Sequence, residues 1–336
     1  MRSPFLLPLN RARLLRLAAV LLAVGGLVAY AASAAPFPSR PSGPESVASE
    51  WADSFGIRKP GLTPEVFLPG VVSTGDNELF LRFTPDGKEA WWNSYPSNPP
   101  VLKTWRMVRR GEAWLPPSEL KMAGEPEYAH FFSPDGGRRY FGCNRALPGE
   151  AKPEWRRIWY RDRREDGWTE AGLLSVNGRT LDGAGGAIAA DGTLYFIGGE
   201  KETPDQGGDI FFCRRAEDGA YLPPVRLGPE VNSPSAEEHV FVMPDQSLLL
   251  FASRRPGPGI AETTDIYVSF RKPDGGWTVA ARLGPEVNGR EWEGSPCLSP
   301  DGRWLFFHSY RSGRSDVFWV DARILEPFRP LPPTGR

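Results

Sequence analysis

Glu78, Glu127, Glu237 and Glu293 each stand eight residues before the aspartate of a tight turn, at Asp86, Asp135, Asp245 and Asp301. Asp182 stands nine before the fifth such aspartate, Asp191, and Asn177, Asn232 and Asn288 each precede their acid by five. Five carboxylates at equivalent points of a repeated unit suit one of two kinds of chemistry. Converging on one mouth, they would hold a cation or a basic partner. Paired with bases, they would be structural. Arg145, Arg255 and Arg311 follow their acids by eighteen residues, and Lys201 follows Asp182 by nineteen. On adjacent antiparallel strands that separation brings acid and base together as a cross-strand ion pair. The pairs Glu127 with Arg145, Glu237 with Arg255, Glu293 with Arg311 and Asp182 with Lys201 are therefore expected to be structural, the bases also reaching Asp209, Asp265 and Asp316. Pro96 takes the position of the base after Glu78, so Glu78 is the ring member left free to bind.

The elements that must carry these acids repeat as well. The turns Pro85-Asp86-Gly87, Pro134-Asp135-Gly136, Asp191-Gly192, Pro244-Asp245-Gln246 and Pro300-Asp301-Gly302 have aspartates 49, 56, 54 and 56 residues apart. A period of that size marks a radial or stacked repeat. Each turn joins two short apolar strands, a third follows, and an aromatic and a leucine mark a fourth at Trp114 and Leu120, Trp168 and Leu174, Tyr221 and Leu227, and Trp277 and Leu283. Arg226 to Asn232 and Arg282 to Asn288 are the same heptapeptide, 56 residues apart. Four short strands per unit without a helical period predict an all-β fold, a β-propeller of four-stranded blades. Five blades are expected, six if residues 45 to 75 hide another. Pro64 to Val72 reads as a surplus strand that completes the last blade and closes the ring, because prolines end the chain where that blade needs its fourth strand.

Ser133-Pro134-Asp135-Gly136 with Arg145, Ser253 with Arg255 and Asp265-Ile266-Tyr267, and Ser299-Pro300-Asp301-Gly302 with Ser309, Arg311 and Asp316-Val317-Phe318 resemble the WD40-like repeat called PD40. This repeat also builds the propeller of the periplasmic protein TolB. The resemblance spans residues 64 to 325 and implies a propeller in or beyond the bacterial envelope, without implying one activity. Nothing matches the separate N-terminal domain of TolB.

Arg2, Arg11, Arg13 and Arg16 precede an apolar run from Leu17 to Ala32, and Ala32-Ser33-Ala34 offers a small-x-small cleavage site. Residues 1–34 are expected to be a secretory signal peptide, which places the mature protein in the periplasm or outside the cell. The alternative is an uncleaved inner-membrane anchor. Residues 35–62 read as a Pro/Ser-rich linker with a short helical turn near Glu50 to Phe55, 63–325 as the propeller, and 326–336 as a Pro-rich tail. The whole chain has 40 basic and 41 acidic residues. Without the four leader arginines it is about five charges negative, which argues against nucleic acid and anionic lipid. Cys143, Cys213 and Cys297 lie in apolar strands of three repeats and are expected in the core.

The histidines His130, His239 and His308 have no spacing of a designed metal site. No cofactor is expected; calcium is the ion that the acid ring admits. Among the aromatics, Trp155 and Trp292 fall outside the blade pattern and, with Glu78 and Asp182, are the expected binding residues at the channel mouth. Nucleophile, zinc-protease and phosphate-loop motifs are absent from the sequence. The favoured reading is a monomeric, non-catalytic exported propeller that binds a protein or peptide partner through its loop face and channel mouth. The alternative is a carbohydrate-active enzyme, a glycoside hydrolase or lyase, working on an oligosaccharide with Glu78 and Asp182.

Overall fold

The computed structural model describes residues 51–96, 101–121, 124–151, 156–176, 179–181, 183–198, 208–255 and 263–330. Residues 1–50, Asn177, Asp182, Trp155 and Lys201 lie outside them. The described residues build five blades, each an antiparallel sheet. The inner strands are Asn77–Phe83, Tyr128–Phe132, Ala184–Ile188, Glu237–Val242 and Glu293–Leu298. Each pairs across its turn with a second strand, which pairs with a third. The ring closes as the sequence predicts: Glu65–Val66 pairs with Asp316–Asp321, with Glu65 opposite Trp319 and Val66 opposite Phe318. The N-terminal strand thereby supplies the outer edge of the fifth blade.

Outer strands are shorter than the sequence suggests. In the first blade the outer edge is split into Ala113–Trp114 and Ser118–Leu120 around Pro116 and Pro117. In the third only Val225–Arg226 follows Pro223 and Pro224. Proline has no N–H for the ladder, so the edge breaks there.

Two devices recur in the blades and fix the geometry of the mouth. The first is a bulge in every inner strand, with a residue in the left-handed region at Phe80, Ala129, Gly185, His239 and Ser295 (φ 59°, 52°, 62°, 55° and 50°). Each stands six residues before its turn aspartate. In the third blade the acid is one residue farther from the bulge than elsewhere, which accounts for its spacing of nine. Only that blade uses glycine, so four blades carry the strain of a left-handed non-glycine residue, about 1–3 kcal/mol each. A bulge re-aims the side chains around it.

The second device is a side-chain latch five residues before the ring acid. Asn232 accepts from the Ile210 N–H (2.8 Å) and donates to the carbonyls of Ile210 and Leu227. Asn288 repeats this on Ile266 and Leu283. At the ring seam Ser73 does the same work, its Oγ accepting from Val317 N and donating to Val317 O.

The core lies between neighbouring sheets. Phe67, Phe306, Trp319 and Val317 pack at the seam with Trp51, whose indole N–H donates to Gly87 O at 3.1 Å. The short helical turn therefore packs into the turn end of the propeller. The three cysteines are free and buried. Among the described residues no helix is long and apolar enough to cross a membrane.

Candidate functional site at the channel mouth

The four described ring acids, Glu78, Glu127, Glu237 and Glu293, are fully buried. They do not converge on the mouth as a charged ring; each is enclosed within the blades. Arg255 donates to Glu237 Oε1 at 2.9 Å, and Ser253 and Ser233 donate to the same oxygen. Arg311 approaches Glu293 at 3.5 Å, and Ser309 donates to it at 2.6 Å.

The second blade departs from the expected pair. Glu127 is held by Arg139 at 2.9 Å and Arg161 at 2.7 Å, while the Arg145 guanidinium lies 5.2 Å from the centre of the Trp159 ring. The reason lies two residues before the base. Ser253 and Ser309 brace the acid and also accept from the Nε of Arg255 and Arg311, both at 2.9 Å. The second blade has Cys143 there, and a thiol is a weak donor and acceptor. The strand-three aspartates also choose other bases than expected: Arg226 binds Asp209, Arg282 binds Asp265 and Arg314 approaches Asp316.

Glu78 alone of the four has no basic partner among the described residues. Thr74 donates to its Oε1 at 2.6 Å, and Oε2 has no partner. Burial, with Asp316 and Asp76 nearby, pushes its carboxyl up to about 7. Burial likewise raises Glu293 to about 6.

The mouth itself holds a cavity of 540 Å³, within the usual range for a ligand site. Its wall comes from positions one residue away from the acid and base pattern. Leu79, Tyr128 and Glu238 directly follow a ring acid; Tyr95, Asn144 and Tyr310 stand seventeen after one. Successive strand side chains point to opposite faces, so when the acid is enclosed its neighbour faces the channel. The bulge residues Phe80 and His239 also line it, as do Glu125, His308, Arg156 and Trp292.

The wall is aromatic and mostly pre-organised. The hydroxyls of Tyr95 and Tyr310 meet at 2.8 Å, Tyr128 donates to Asn144 Oδ1, and the Arg156 guanidinium lies 4.7 Å from the centre of the Tyr128 ring. Trp292 is 40% exposed at the rim, with Arg254 stacked on it. His239 and His308 meet edge to face, 5.7 Å between centres, and neither Nδ1 has a partner. Burial, reinforced by the Arg82, Arg156 and Arg254 charges, lowers His239 to about 3, so the ring is neutral at ordinary pH. His130 is a core residue instead: its Nδ1 lies 3.0 Å from an Arg139 Nη1, and because a guanidinium only donates, that nitrogen accepts.

The cavity carboxylates are engaged. Glu238 is held by Arg254 at 2.8 Å, and Glu125 also has a partner. Among the described residues no group of three or more His, Cys, Asp or Glu side chains is placed to hold a metal ion. Of the sequence's four binding candidates, the structure places Trp292 at the cavity and encloses Glu78 within the first blade; Asp182 and Trp155 are outside the described residues. The residues that line the mouth differ from blade to blade, so a search for repetition passes over them. A signal did exist in three of the blades, in the residue after the recurring acid, and in three in the residue seventeen after it.

No family model and no curated protein matches the chain. Solved structures are similar in outline. The endo-arabinase from Bacteroides thetaiotaomicron VPI-5482 is 15% identical, with 79% of this chain and 97% of that chain covered and a TM-score of 0.47. A GH43 endo-arabinanase from Bacillus licheniformis is 14% identical over 74% and 95%, with a TM-score of 0.45. The β-propeller domain of the Trilobed protease from Pyrococcus furiosus is 12% identical over 74% and 82%, with a TM-score of 0.39.

Proposed function

We propose that this chain is an exported, non-catalytic binding propeller, akin to the TolB-like repeat proteins that its turns resemble, and that it holds a protein or peptide segment at its channel mouth. The observation that carries this reading is the state of the carboxylates. A glycoside hydrolase needs two free carboxyl groups flanking the substrate. Among the described residues the cavity carboxylate Glu238 is bound to Arg254, Glu125 is engaged, and Glu78, Glu127, Glu237 and Glu293 are enclosed. What the cavity does offer is a rim of Trp292, Tyr95, Tyr128 and Tyr310 over a neutral histidine pair. Rigid aromatic surface with a few polar tips is what recurs at peptide-binding hot spots.

Export follows from the leader, and the partner is then an envelope or extracellular protein. The test is to incubate the mature chain with a pool of short peptides and, separately, with neutral and acidic oligosaccharides, following both retention and turnover by mass spectrometry. Retention of peptides without cleavage of either class supports the reading. Turnover of an oligosaccharide that is lost in Glu125→Gln or Glu238→Gln overturns it.

A further inference from the structure

Among the described residues Arg82 is a buried cation without an anion. It lies on the inner strand of the first blade, 8% exposed, and its Nη1 donates to the carbonyls of Leu81 (2.9 Å) and Ser295 (3.1 Å). Cys297 packs against it. Among the described residues no carboxylate lies within ion-pair distance, and the guanidinium's further polar contact is the Cys297 thiol. A guanidinium does not give up its proton, and an unpaired buried charge is costly.

Arg82 is not in the lining of the cavity but lies next to residues that are. Ser295, which accepts from Arg82, is the bulge residue of the fifth blade, and Gly294 precedes it. A Cβ on Gly294 would stand 2.7 Å from His308 Cε1 and 2.9 Å from His239 Nδ1. The guanidinium and the two cavity histidines are therefore gathered around one two-residue segment of backbone. Arg156 lines the same cavity, and Arg254 stands at its rim with Glu238 as its only acidic partner among the described residues. The cavity's own lining holds the acids Glu125 and Glu238 and the base Arg156, and Arg254 and Arg82 adjoin it.

We propose that the channel mouth is a receptor for a carboxylate, the C-terminal carboxylate of a peptide, which enters along the channel axis toward Arg82 while its last side chains lie against Trp292, Tyr95 and Tyr310. The proposal rests on the peptide-binding reading above. A guanidinium presents a planar fork that matches a carboxylate, and capture of a chain terminus is an established mode of peptide recognition. The neutral histidines add hydrogen-bonding capacity without competing for the anion. A chain end also suits a cavity at the mouth of a closed ring, because only one strand of backbone has to enter.

The experiment uses two pools of short peptides, randomised over their last residues and identical except that one ends in a free acid and the other in an amide. The wild-type chain should retain the acid pool, and the affinity of its best member should fall about thirtyfold or more on amidation. Arg82→Gln should lose affinity for the acid by a similar factor and leave the amide unchanged. Trp292→Ala should weaken both forms alike. Equal binding of acid and amide by the wild type overturns the carboxylate receptor and leaves the peptide reading standing; this comparison needs no variant to fold. Retention of a neutral oligosaccharide with no peptide from either pool overturns both.

Discussion

Replacing Glu78 by glutamine should make the propeller more stable at neutral pH and leave it unchanged in acid. The carboxyl is fully buried, its Oε2 has no partner, and its neighbours Asp76 and Asp316 are acids. Its proton affinity rises from 4.5 in the unfolded chain to about 7 in the folded one. Below pH 4.5 both states hold the proton. Between 4.5 and about 7 only the folded state does, so rising pH favours unfolding across this window, and above it the loss is complete. At about 1.4 kcal/mol per pH unit the loss is about 3 kcal/mol. Glutamine keeps the shape and the hydrogen bond from Thr74 and cannot ionise. Thermal melts of both proteins from pH 4 to 8 should coincide at the acid end and diverge to roughly 6 °C or more at the other. A difference that does not change with pH would refute the reasoning, because it would mean that the residue carries no buried charge.

Three further outcomes follow from the same geometry. Arg139→Leu should cost about 3 kcal/mol or more by denaturant unfolding, since it strips one of the two cations from buried Glu127, whereas Arg145→Ala should cost under about 1 kcal/mol. Asn288→Ala removes one bond to a backbone N–H and two to carbonyls and should cost about 2–3 kcal/mol in the same assay, with Asn232→Ala matching it in the fourth blade's neighbour. Gly294→Ala drives a methyl group into His239 and His308, so it should abolish peptide retention even where the melt shows the fold intact.

Much of the fold could be read from the sequence because the features that build it recur. The turn aspartates, the ring acids and the duplicated heptapeptide all mark equivalent points of successive blades, and the surplus strand before Val72 located the seam. The bulges could not be read, since Phe80, Ala129, Gly185, His239 and Ser295 share a backbone conformation and no side-chain chemistry. The site was harder for a related reason. Recurrence selects the residues that hold blades together, and Glu237 and Glu293 are of that kind. The mouth is lined by their neighbours, which alternate to the opposite face and vary because each blade contributes something different. Glu127 shows how a local change redirects a pair: with Cys143 in place of the bracing serine, its charge goes to Arg139 and Arg161. Arg82 sits in the middle of an apolar strand, and only the structure shows that no carboxylate among the described residues pairs with it.

The central claim is that the channel mouth binds a peptide and performs no reaction. Its most direct test is the affinity of one retained peptide for the wild type and for Trp292→Ala, with the peptide recovered afterwards and weighed. A loss of about tenfold or more on removing the exposed rim indole, with the peptide recovered intact, is the predicted result. Unchanged affinity would place binding elsewhere on the propeller, and a cleaved or modified peptide would make the protein an enzyme.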